Sequence, residues 1–202
     1  MSFGFRSRIA SLAAIAFSLA APAAAQKVDR IEDLTPAQRS EIFCVHNKLV
    51  AGNGFVAIGQ AYLDQLDKAL AAKAEPLLAA AEAECARFHG WDVNKRDIAK
   101  HVGAYGAASE HFARQLLQRG VRQEIVTRVF AITDSLPDDD YYRLFDLSWH
   151  GDPVFEQRLD AMLVAEGFSK DDAESLATGR LLMETVAMSF DEVWIWVEEY
   201  ID

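Results

Sequence analysis

The chain is 202 residues long, 51% hydrophobic and 25% charged, with a formal net charge of −11. That length suits one domain with a core of its own. The acidity argues against gripping nucleic acid through a basic footprint; such a charge more often serves solubility than a specific cationic partner.

Residues 1–25 read as a cleavable secretory signal peptide. Arg6 and Arg8 precede an apolar run from Ile9 to Leu19, and a small-residue stretch ends in Ala23-Ala24-Ala25, the three-part plan of such a leader. The apolar run is shorter than the roughly 20 residues a membrane span requires. Cleavage is expected after Ala25, with Ala23 as the alternative, and no stable membrane insertion is expected afterwards. Losing both arginines makes the mature chain more acidic still. The Ala-rich style points to the periplasm or to secretion, where disulfides persist.

Residues 26–202 read as a single all-helical domain, an all-α compact bundle of about seven to eight helices by periodicity and capping signals. Thr35 can cap a first helix, Pro36 suits its first position and Gln38 completes a capping box. This helix should contain Cys44 and stop at Gly52-Asn53-Gly54. A second pattern runs from Phe55 through Tyr62, Leu63, Leu66 and Leu70, and an Ala-rich third begins near Pro76 and carries Cys85.

Cys44 and Cys85 are the only cysteines, so in an oxidising compartment they are expected to pair and to tie the N-terminal helices together. The spacing constrains the chain's path. Were residues 55–88 one straight helix, Cys85 would lie about 35 Å beyond the level of Cys44, out of reach of a bond that needs Cα atoms within about 7 Å. A reversal just before Pro76 would bring the two level, because the residue preceding a proline is biased away from helical geometry. The alternative is a helix merely kinked at Pro76, with free thiols or intermolecular pairing. With no C-x-x-C spacing, the pair reads as a structural staple and not as a redox centre.

Gly90 should end the cysteine helix, and Asp92 or Asn94 should cap the next, whose apolar stripe comprises Ile98, Val102, Tyr105, Ala108, Phe112 and Leu116. Gly103 and Gly106 within it would let a neighbouring helix come close. His101 and His111 flank that stripe about 15 Å apart along the axis, too far to share a metal. Gly120 ends the helix, and a shorter one follows to Leu136-Pro137. Asp138-Asp139-Asp140 lacks the ligand spacing of a calcium loop and is expected at the first turn of a helix, where acids complement the dipole.

Trp149-His150-Gly151-Asp152-Pro153 puts an imidazole, a carboxylate and an indole at one bend, with Asp152 capping and Pro153 opening the next helix. Gly167-Phe168 should end that helix in a Schellman motif, with Ser169 and Asp172 forming a capping box for the last. From Ala173 to Tyr200 the pattern is one long helix, or two meeting near Ser189, apolar on most faces and therefore central. A strand at Val193–Val197 has no partner strand. Glu184 lies four residues after Arg180, which predicts a surface ion pair. Trp194 and Trp196 point about 200° apart on a helix, so one of them is expected at an interface, with a protein partner or a second copy of the chain.

No G-x-S-x-G, H-E-x-x-H or glycine-rich phosphate loop is present. The expectation is therefore a soluble periplasmic protein, acidic and non-catalytic, acting by binding a protein or envelope partner. The alternatives are a small envelope-acting hydrolase, for which His150, Asp152 and Glu184 are the available nominees, and a metal or small-ligand carrier. Among His46, His89, His101, His111 and His150 no pair falls at a helical i, i+3 or i, i+4 spacing, so no metal site and no cofactor are expected.

Overall fold

The computed structural model describes residues 31–64 and 67–201; residues 1–25, read above as a leader, and Leu66 lie outside these. Among the described residues a 3₁₀ turn, Ile31–Asp33, precedes nine helices: α1 Pro36–Ile42, α2 Cys44–Ala51, α3 Phe55–Leu63, α4 Lys68–His89, α5 Val93–Gln118, α6 Gln123–Asp134, α7 Asp138–Phe145, α8 Pro153–Ala165 and α9 Ala173–Tyr200. No strand occurs among the described residues, and the helices form one compact fold.

The architecture rests on α5 and α9, which lie antiparallel. Arg119, just past the end of α5, pairs with Glu174 at the start of α9. Midway, Ser109 Oγ donates to Thr185 Oγ1 at 2.9 Å, and near the other end Lys95 Nζ stands 4.7 Å from the Trp196 ring centroid. Small residues let the helices around this axis approach closely. A Cβ on Gly103 would fall 2.3 Å from Val45 Cγ1 on α2, and one on Gly59 of α3 would fall 2.2 Å from His111 Cγ on α5. Neither neighbour has room to retreat in a close-packed interior, so both positions exclude any side chain.

The first two helices are almost one. At Phe43 the backbone departs from helical geometry (φ −90°, ψ 13°), yet Phe43 N–H still donates to the Arg39 carbonyl at 3.0 Å and Asn47 N–H to the Phe43 carbonyl at 2.9 Å. Cys44 therefore opens α2 and does not lie within a single longer helix. Thr35 and Gln38 form the expected capping box.

The Cys44–Cys85 disulfide is formed, with Cα atoms 6.0 Å apart. The reversal that permits it is not at Pro76. The chain doubles back between α3 and α4, and Asp67 caps α4 by accepting from Ala69 N–H at 2.7 Å and Leu70 N–H at 3.3 Å. Pro76 stands inside α4. Its ring forfeits the bond to the Ala72 carbonyl, a cost of about 3 kcal/mol, but both residues are exposed, so water can take the vacated acceptor. Strong helix formers on either side and the Asp67 cap outweigh the proline.

Further along the chain, α8 ends in a Schellman motif: Gly167 (φ 112°) donates to the Val164 carbonyl at 3.0 Å, and Phe168 to the Leu163 carbonyl at 3.1 Å. The cap of α9 is Asp172 alone, accepting from Ser175 N–H at 3.0 Å, and not a box begun by Ser169. Asp138, Asp139 and Asp140 occupy the first turn of α7 without making a side-chain cap. Past Ser189, α9 continues unbroken, and Val193–Val197 is helical.

The sequence expectation of an interface at Trp196 needs correction. Trp196 is 1% exposed, edge-on to Trp91 with centroids 5.5 Å apart. The fold itself covers that face of α9, since α5 and the residues just before it pack there. Trp194 is partly buried against the same core, which leaves Ile195, at 36%, as the exposed large side chain of this segment.

Candidate functional site

Glu184 lies on α9 and is 2% exposed. The surface pair expected with Arg180 does not form. Arg180 turns to α8, pairing with Asp160 and lying 3.8 Å from Glu156. Two carboxylates on a packed neighbour outweigh one on its own helix, and Glu184 is left to other partners.

Three groups converge on the Glu184 carboxylate. The Tyr62 hydroxyl, from α3, donates to Oε1. Trp149 Nε1 donates to Oε2 at 2.7 Å, and His150 Nε2 lies 2.7 Å from the same oxygen. Trp149 is buried, whereas the His150 side chain is half exposed. Their rings stack with centroids 4.1 Å apart. The bend that presents them contains Leu147 at φ +62° and Gly151 at φ +80°. A left-handed leucine costs about 1–2 kcal/mol, so the packing of this bend over Glu184 holds it in a conformation that it would otherwise avoid.

Burial, followed by the Glu184 charge and its hydrogen bond, drives the Tyr62 hydroxyl far above the ordinary phenol range. It stays protonated and remains a donor. Tyr62 is fixed further by edge contacts to Tyr105 and Phe112, with centroids 6.3 and 6.1 Å away. Above the carboxylate opens a cleft of about 290 Å³ lined by Tyr62, Leu63, Asp64, Leu147, His150, Leu181 and Glu184.

Of the three nominees, the fold brings His150 and Glu184 together and sets Asp152 apart. Asp152 caps α8 through Val154 N–H (2.9 Å) and Phe155 N–H (3.1 Å) and binds Arg143 at 2.6 Å. The hydrogen bond from Arg143, then those from the backbone, hold its carboxyl below the usual carboxylate value. A carboxylate–imidazole pair can hold and move a proton. Among the described residues, the cleft lining offers it no serine, threonine or cysteine to activate. Tyr62 and Trp149 were missed as partners. The available signal was an acid amid the apolar residues Leu181, Leu182, Met183 and Val186, since a buried carboxylate needs donors, and tyrosine and tryptophan carry them on apolar bodies.

The remaining histidines stand apart. His46 and His111 are held below the ordinary imidazole value by burial. His111 shares a 2.9 Å hydrogen bond with Gln115, and His89 stacks on Trp91. Among the described residues no group of three or more His, Cys, Asp or Glu could hold a metal ion. His101 Nδ1 lies 3.1 Å from Glu192, and that hydrogen bond, against partial burial, raises its pKa above 6.5. The pair therefore stabilises the fold in full below the unfolded imidazole value and ceases to as pH rises through the folded one. His101→Gln should cost about 0.5 kcal/mol, the scale of a half-exposed ion pair, in urea unfolding at about pH 5.5, and nothing at about pH 9. An equal loss at both would refute the ionic role.

A second concavity lies between α2 and α4, beside the disulfide. It is a groove of about 770 Å³ lined by Cys44, Ala51, Cys85 and Phe88 among apolar groups, with Lys48, Arg87 and His89 against one acid, Glu84. Lys48 and Glu84 pair across it. Phe88 is 82% exposed. No family model matches the chain, and no curated protein and no solved structure matches it.

Proposed function

We propose that this is an exported, non-catalytic helical protein that works by binding a protein partner in the envelope, and that the groove between α2 and α4 is where it binds. The observation that carries the reading is a local reversal of character. On a chain of net charge −11, this groove has basic side chains in its lining and an aromatic ring left in water. Exposed aromatics next to a concave apolar surface are typical of binding hot spots. The charge selects the occupant: an acidic segment of another protein, with one apolar side chain seated beside Phe88. Export rests on the leader pattern in residues 1–25, and the disulfide suits an oxidising compartment. No described helix is long and apolar enough to cross a membrane.

A photo-crosslinking residue placed at Phe88 in the source cell should give one discrete adduct in the exported fraction. The same residue at Val154, 76% exposed on α8, should give none. Reversing charge with Lys48→Glu and Arg87→Glu should abolish the Phe88 adduct. Identical products at both positions, or an adduct indifferent to the charge reversal, would sink the proposal.

A further inference from the structure

We infer that the cleft over Glu184 binds a small organic cation bearing a primary ammonium group. Its floor is a carboxylate withdrawn almost wholly from water, at 2% exposure, and a buried charge calls for compensation. Among the described residues, no lysine or arginine lines the cleft. The nearest cation along α9, Arg180, is committed to Asp160 and Glu156 on α8. What faces Glu184 is two neutral donors, Tyr62 and Trp149, and the titratable His150.

A carboxylate offers about four acceptor sites. Three are taken, which leaves room for one more donor from the cleft side. An ammonium group carries three N–H donors and can engage Glu184 while turning another toward Asp64, the second carboxylate of the lining. The Tyr62 ring adds an aromatic wall of the kind that attracts cations. Leu63, Leu147 and Leu181 supply an apolar channel for a short alkyl stem. A volume of about 290 Å³ is at the small end of ligand pockets, and the protein's overall negative charge raises the local concentration of cations. The cleft shares no residue with the groove between α2 and α4, so either reading can fail without the other.

Calorimetric titration of the purified mature chain in moderate salt provides the test, with n-butylamine as probe and 1-butanol and tetramethylammonium as controls. Saturable one-to-one binding of butylammonium is expected, with no binding of butanol and weaker binding of tetramethylammonium, which has no N–H to donate. Glu184→Gln should weaken butylammonium by about tenfold or more, the scale of one charge-assisted hydrogen bond. Asp64→Asn, at the cleft mouth, should weaken it several-fold and carries the test alone if Glu184→Gln does not fold. Butylammonium binding no better than butanol, or undiminished in Asp64→Asn and in any folded Glu184→Gln, would overturn the assignment.

Discussion

The double replacement Cys44→Ala, Cys85→Ala should lower the thermal midpoint by roughly 10 °C, and reducing the wild type should do the same. The bridge closes a loop of sequence separation 41, worth about 4 kcal/mol of lost chain entropy in the unfolded state. For a chain of this size each kcal/mol moves the midpoint by roughly 2–4 °C. The loop encloses α2, α3 and most of α4 with both of their turns, whereas the α5–α9 axis lies outside it. Far-ultraviolet helicity at room temperature should therefore survive, while urea unfolding shifts to lower denaturant. A double variant within about 1 kcal/mol of the wild type would mean that helix packing alone holds α4 against α2.

The second large effect concerns Glu184. Glu184→Ala strands the Trp149 indole N–H in the interior and leaves the Tyr62 hydroxyl, among the described residues, with the Met188 sulfur at 3.1 Å. It also removes the group that the Leu147–Gly151 bend packs against. Losing one member of a buried charged network costs about 3–5 kcal/mol, with unsatisfied donors contributing about 1–3 kcal/mol each. Glu184→Gln keeps one acceptor oxygen and should lose less. Equilibrium urea unfolding ranks the two, and tryptophan fluorescence should report the Trp149 environment. An alanine variant as stable as the wild type would show that the network is dispensable, with the bend held by other contacts.

Helix ends were legible because a cap is a local device. Thr35 with Gln38, Asp92, Asp152 with Pro153, and Gly167 with Phe168 each satisfy backbone groups within four or five residues, so neighbouring letters carry the information. Asp67 was equally local, but the proline nine positions later offered a louder signal. A proline's cost depends on whether its orphaned carbonyl meets water, and only the packed molecule shows that α4 turns Pro76 outward.

The site was half legible. His150, Asp152 and Glu184 stood out by type, yet Arg180 at helical spacing from Glu184 argued for a surface pair. That argument assumes both side chains lack better partners, and α8 supplies them to Arg180. Trp196 misled for a similar reason: its face of α9 looks unpartnered in sequence and is covered by Trp91 and Lys95 in space.

The sequence by itself determined the helical class, most helix starts and stops, and the pairing of the two cysteines, because periodicity, capping and having only two sulfurs are properties of short stretches or of composition. Only the tertiary structure decided where the chain doubles back, which face of α9 is covered, and that Tyr62, Trp149 and His150 meet on Glu184. Those outcomes depend on which helices pack together, and side chains 35 (Trp149) and 122 (Tyr62) positions from Glu184 leave no mark of their meeting in the local pattern.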